Sequence, residues 1–133
     1  MTHDRRLSLL LSVALAACTP ISETERLLTP YDLNARPAAY EGQIVRVAGW
    51  LEYGSERRYL IVIRRNGNAS SDSAAPGDCT SVEVRESLRQ RATELNGRNV
   101  VVSGTFRSNL AGERVVLGFC TLAGILVARI DPL

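Results

Sequence analysis

The sequence predicts a mainly β domain, a small barrel with one helix set among its strands. Three observations carry that expectation. Gly42–Leu51 and Gly97–Phe106 both read Gly-x-x-Val-x-Val-x-Gly-x-apolar. Their alternation has the period of a half-buried strand, and valine is β-branched, so each predicts a strand. The second glycine of each copy, Gly49 or Gly104, falls inside the strand. A glycine there weakens the strand and marks a bulge or a sharp coil, as closure of a small barrel requires. Between the copies, Leu88, Ala92 and Leu95 recur at i, i+4 and i+7 among arginines and glutamates. That spacing places one apolar stripe on a helix.

The chain has 133 residues, 45% hydrophobic and 23% charged, enough for one domain with a modest core. The net charge of +2 is too small to argue for a polyanionic partner. All 16 basic residues are arginine, the only histidine is His3 and the only methionine is Met1.

Taken in order, residues 1–17 read as an export signal. Arg5 and Arg6 give a positive start, Leu7–Ala17 is apolar, and the run is too short to span a bilayer. Its ending, Leu15-Ala16-Ala17-Cys18, resembles the lipobox of bacterial lipoproteins. The resemblance implies cleavage before Cys18 and acylation of that cysteine, with chains such as palmitate. Thr19 follows where aspartate would divert sorting, which implies the outer membrane, facing the periplasm.

Residues 18–39 read as a tether and lead-in, with Glu23–Leu28 forming one or two helical turns and Pro30 and Pro37 keeping any later helix short. Leu33 and Tyr40 are expected to pack on the barrel, residues 40–133. The first strand runs over 43–53, with Val45, Val47 and Leu51 on one face and Ile44, Arg46, Ala48 and Trp50 on the other. Gly54-Ser55-Glu56 is a turn, and a second strand spans 57–65, apolar on both faces. Asn66–Asp78 is a surface loop, and Cys79–Val84 is a short third strand. After the helix, Asn96-Gly97 supplies its stop. The second valine copy is the fourth strand, Ser108–Gly112 is a turn, and a fifth strand is expected from Glu113, where Val115, Leu117 and Phe119 alternate with Val116, Gly118 and Cys120. Ile125–Ile130 follows as an apolar tail.

The order strand, strand, strand, helix, strand, strand resembles the OB-fold, a five-stranded Greek-key barrel with its helix between strands three and four. It also resembles small bacterial lipoproteins carrying such a domain. Short valine strands suit an SH3-like barrel or a small sandwich as well. In an OB-fold the third and fifth strands are neighbours, which makes a Cys79–Cys120 disulfide reasonable in an oxidising compartment.

Beyond the signal there is no histidine and no lysine, which excludes Ser-His-Asp, Cys-His and Schiff-base chemistry. Two cysteines without histidine do not make a zinc shell, so no metal or cofactor is expected. Glu52 and Glu56 flank the first hairpin, a pairing read as solvated turn charges and not as a glycosidase pair. The OB-fold likeness implies a ligand face on strands two and three. There the sequence offers Tyr53, Arg57, Arg58, Tyr59, Arg64 and Arg65. Arginine beside aromatics can stack or pair with anions, but aromatics are 5% of the chain, too few for a stacking platform. The expected function is that of a membrane-anchored, non-enzymatic binding or adaptor module for an envelope protein or glycan. The alternatives are a structural accessory subunit using the Ile125–Ile130 tail, or an oligonucleotide-binding domain, although no nucleic acid is expected as partner.

Overall fold

The computed structural model describes residues 26–63, 77–114 and 116–133. The signal segment, Cys18, Arg64, Arg65 and most of the Asn66–Asp78 loop lie outside the described residues. Among the described residues six strands occur: β1 (Leu27–Leu28), β2 (Ile44–Tyr53), β3 (Arg58–Ile61), β4 (Cys79–Val84), β5 (Asn99–Arg107) and β6 (Gly124–Pro132). Two short helices, α1 (Pro30–Ala35) and α2 (Pro37–Tyr40), precede β2, and α3 (Arg89–Leu95) lies between β4 and β5.

The strands pair in the order β2–β3–β4–β6–β5, and β5 returns to β2 and closes the barrel. All of these contacts are antiparallel except β4–β6, which runs parallel from Ser81↔Gly124 to Val84↔Val127. Closure with one parallel pair and a helix after the third barrel strand is the OB-fold arrangement.

Strand β2 does the closing. Its residues 44–50 pair with β5 and residues 50–53 pair with β3, so Trp50 faces both Asn99 and Ile61. A strand that serves two sheets must coil, and Gly49 sits at the coil. A Cβ there would stand 3.0 Å from the Ile61 carbonyl oxygen. Gly104 answers on β5: a side chain there would overlap the Leu126 carbonyl. The register shifts beside it, with Ser103↔Arg129 followed by Gly104↔Val127, so Ala128 is the extra residue of a bulge.

Inside lie Val45, Val47, Leu51, Leu60, Val82, Val100, Val102, Phe106, Ile125, Val127 and Ile130. Tyr40 sets its ring edge-on to Phe106, with centroids 6.5 Å apart. Ala92 and Leu95 of α3 are buried, and Leu88 packs at the margin. Gly97 then turns the chain at φ +73° and donates its N–H to Leu51.

Several expectations need correction. Glu23–Leu28 is not helical where it is described: Leu27–Leu28 is β1, parallel to Arg46–Val47. The lead-in is also part of the folded unit, because Leu28 and Leu33 are core residues. Thr29 and Asp32 form a reciprocal cap on α1, and Asn34 Nδ2 donates to the carbonyls of Gly77 and Cys79, both at 2.8 Å. Second, the strand expected from Glu113 is a loop, and Ile125–Ile130 belongs to β6, the strand that completes the barrel. Ile125, Val127 and Ile130 are buried, which removes the apolar tail on which the accessory-subunit reading stood. Third, β3 ends at Ile61, and Val62 and Ile63 beyond it are not strand; the last two residues of the expected 57–65 strand lie outside the described residues.

Candidate functional site

The outer face of β2–β3–β4 is built from two cross-strand rows. Glu52, Tyr59 and Ser81 form one, and Trp50, Ile61 and Cys79 form the other. In an OB-fold this face and the loops beside it take the ligand. Here the β5–β6 loop, 108–123, is fastened over part of it. The Cys79–Cys120 disulfide links β4 to the loop, with the Cα atoms 6.4 Å apart and 41 residues between them in sequence. The bridge was expected, but Cys120 sits in a loop, not in the fifth strand.

A second fastener, Ser81, was not foreseen. Its side chain is fully buried. Ser81 Oγ accepts the N–H groups of Cys120 and Thr121, both at 3.1 Å, and donates to the Thr121 carbonyl at 2.8 Å. A hydroxyl has one proton and two lone pairs, so all of its capacity is spent holding the loop. Thr121 Oγ1 in turn donates to the Ala123 carbonyl at 2.7 Å.

The loop then reaches the β2–β3 turn. Gly118, at φ +87°, places its carbonyl 2.8 Å from the Arg58 N–H. A Cβ at Gly118 would stand 3.0 Å from Arg57 N and from the Glu56 carbonyl carbon, so only glycine permits the approach. Beside the contact lie two shallow pockets. One, about 350 Å³, is lined by Ala111, Arg114, Val116, Phe119 and Leu122 among others; the second, about 300 Å³, is lined by Glu52–Arg57 and Asn96. Leu117 and Leu122 project from the loop, 79% and 65% exposed.

The sequence-predicted site residues do not form one surface. Tyr53 and Arg58 pair across β2 and β3 on the inward side, and Tyr53 packs against the core. The Tyr53 N–H is held by Asn96 Oδ1 at 2.8 Å. Arg58 is half-buried, and its Nε has no hydrogen-bond partner among the described residues. Tyr59 faces outward beside Ser81. Arg57 stands in the turn and reaches Glu52 Oε2 at 3.4 Å, and Trp50 Nε1 donates to Glu52 Oε1 at 3.1 Å. Glu52 therefore serves as an anchor for two neighbours. Arg64 and Arg65 lie outside the described residues. Sequence reasoning missed Ser81, Leu117, Gly118 and Leu122. The available signal was Gly118, a glycine interrupting an otherwise alternating run.

Among the described residues no three of the His, Cys, Asp and Glu side chains gather closely enough to hold a metal ion. Glu41 is the one described group whose acidity is clearly moved. Its carboxyl is held below the usual range by the Ser108 backbone N–H, with the Ser108 side chain and Arg107 adding to it.

The chain matches no protein-family model and no curated protein sequence. Among solved structures it is similar to asparaginyl-tRNA synthetase from Pyrococcus horikoshii complexed with asparaginyl-adenylate, at 16% identity and a TM-score of 0.43, over 71% of this chain and 20% of that one. It thus spans a fifth of the synthetase. It is similar to an OBody bound to hen egg-white lysozyme at 23% identity and a TM-score of 0.43, over 71% of this chain and 85% of that one. It is also similar to a DUF3299 family protein from Pseudomonas aeruginosa PAO1, at 14% identity and a TM-score of 0.45, over 71% and 64%. The chain's own strand order and its β4–β6 parallel pair are what make it an OB-fold-like barrel.

Proposed function

We propose that this protein is a lipid-anchored binding module of the bacterial envelope, held by Cys18 and engaging a partner protein through its β5–β6 loop. The observation that carries the reading is the pinned loop itself. Leu117 and Leu122 are displayed to solvent on a segment that the Cys79–Cys120 disulfide, Ser81 and Gly118 hold in place. Large exposed apolar side chains on a fixed loop are costly unless a partner covers them, and a pre-ordered loop loses little entropy when it binds. Arg57 and Arg114 stand close by, and apolar contacts bordered by arginine suit a protein surface. A glycan would ask for aromatic platforms, which a chain with 5% aromatics does not offer.

The anchor reading is supported by the Leu15-Ala16-Ala17-Cys18 sequence and by a disulfide that suits an oxidising compartment. Two measurements test the proposal. The intact mass of the membrane form is expected to show cleavage before Cys18 plus acyl chains, and Cys18→Ser is expected to lose both. Affinity recovery after in-cell crosslinking is expected to yield a protein partner that disappears with Leu117→Ser/Leu122→Ser. Equal recovery from both chains overturns the loop as the binding site. Failure of acylation overturns the anchor alone.

A further inference from the structure

The two ends of the disulfide stand in unlike places. Cys79, on β4, is buried at 7% exposure, whereas Cys120, on the β5–β6 loop, is half-buried. Cys120 forms part of the wall of the open pocket of about 350 Å³, beside Phe119 and Thr121. The charged residue in that lining is Arg114, whose Nε is held by the Ala111 carbonyl at 3.4 Å and which makes no ion pair among the described residues. Glu113, its neighbour in sequence, is exposed and is not part of the lining. One cysteine is thus set in the barrel wall, and the other borders an opening wide enough for a small thiolate.

The loop tip depends on that bridge. No described residue from Gly112 to Ala123 is buried; the buried apolar groups of the loop, Leu110 and Ala111, belong to its base. The printed geometry ties the tip to the barrel by hydrogen bonds at Ser81 Oγ and by the Arg58 N–H on the Gly118 carbonyl. The net gain from a hydrogen bond is similar to the entropy cost of fixing one residue, and the tip fixes far more residues than it has such bonds. The bridge offsets the difference by restricting the open loop. Without it the tip opens, while β4 and β6 stay in place because Val82, Ile125 and Val127 keep their core contacts.

We propose that the Cys79–Cys120 disulfide is a redox latch, opened by a dithiol reductant that attacks Cys120 from the pocket. The thiolate of the reductant bonds to Cys120 Sγ, the Cys79–Cys120 bond breaks, and Cys79 Sγ takes the electron pair and a proton. The second thiolate of the reductant then displaces Cys120 Sγ, which is protonated in turn. The reductant leaves as a disulfide, oxidised by two electrons, and the protein holds two thiols. Exposed disulfides are the exchangeable ones, and Cys120 supplies the exposed end. Opening frees the tip from Ser81 and from the β2–β3 turn, so Leu117 and Leu122 are no longer held in order for a partner. That last consequence rests on the proposed role of the loop; the latch itself does not.

The experiment treats the oxidised protein under native conditions first with glutathione, a monothiol, and then with dithiothreitol. Mass mapping after an acid quench is expected to place the glutathione adduct on Cys120. Its rate is expected to stay unchanged in low denaturant, and Arg114→Glu, at an exposed position, is expected to slow it by at least about threefold at low salt. After reduction, amide exchange at Val116–Leu122 and at Arg58 is expected to quicken by at least about tenfold, while β5 and β6 amides stay protected. Reduction that proceeds only in step with global unfolding, an adduct confined to Cys79, or a reduced chain whose tip stays protected overturns the latch and makes the bridge a static staple. The consequence for binding is read with a photocrosslinking amino acid at position 117 in cells, where Cys79→Ser/Cys120→Ser is expected to lower the yield of protein adduct by at least about threefold. Equal yield overturns control of binding by the latch. No adduct from either chain overturns the role of the loop, and the latch then stands or falls on the exchange results.

Discussion

Arg58 donates its backbone N–H to the carbonyl of Gly118 at 2.8 Å, joining two segments 60 residues apart in sequence. The bond ties the β2–β3 turn to the β5–β6 loop at one end of the barrel. In OB-folds these are the two loops that flank the ligand face, and here they meet each other. Gly118→Ala removes the conformational freedom that the contact needs at φ +87° and sets a methyl group against Arg57 N. It is expected to cost about 1–2 kcal/mol, the penalty of a left-handed non-glycine residue. Amide exchange at Arg58 is expected to quicken, which separates loss of the contact from general softening.

The disulfide has its own signature. Denatured under non-reducing conditions, the protein is expected to show no thiol at Cys79 or Cys120. Replacing both by serine is expected to lower stability by about 4 kcal/mol, from the loop closure lost in the unfolded chain. The barrel strands are expected to persist, because the β4–β6 pairing from Ser81 to Val84 does not involve Cys120. Thiol titration, a denaturant series and circular dichroism check the three statements.

Neighbouring residues on β4 are expected to respond in opposite directions. Ser81→Ala strips the Cys120 and Thr121 N–H groups of their acceptor and is expected to cost about 2–3 kcal/mol, since donors are left unpaired. Thr80 is also buried, but its Oγ1 has no hydrogen-bond partner among the described residues. Thr80→Val keeps the shape and removes the unpaired hydroxyl, so it is expected to be neutral or stabilising by up to about 1 kcal/mol. Chemical denaturation of both variants reads the contrast.

Glu41 makes stability depend on pH at the junction of α2 and β5. Its folded acidity is raised, first by the Ser108 backbone N–H, so the folded state binds its proton less readily than the unfolded state does. The resulting stabilisation is present above the unfolded pKa and is lost as pH falls through the lower folded pKa. Glu41→Gln is expected to flatten the acid limb of a stability-against-pH series and to leave its neutral region with the same slope.

The barrel was legible wherever side-chain alternation is local and unbroken. Val45, Val47 and Leu51 face inward as their spacing indicates, Leu33 and Tyr40 join the core, and Gly104 sits at the bulge. The fifth strand was misplaced because two features hide it. Ala128 is an extra residue, so the buried set Ile125, Val127, Ile130 breaks period two and does not read as a strand. The Val115–Cys120 stretch alternates in sequence, but its described part, Val116–Cys120, makes no ladder, because Gly118 turns the chain and Cys120 and Thr121 give their N–H groups to Ser81. The candidate site was less legible. Tyr53 continues the inward alternation of Val45, Val47 and Leu51, and Arg58 that of Leu60, so both lie on the inward side although they were read as ligand residues, and exposed Leu117 stood in what read as a strand.

The most direct test places a photocrosslinking amino acid at position 117, and in a second chain at position 44, in living cells. The expected result is a discrete protein adduct from position 117 and none from position 44, as befits a partner that covers the pinned loop. A protein adduct from position 44 with none from position 117 would contradict that placement of the binding surface.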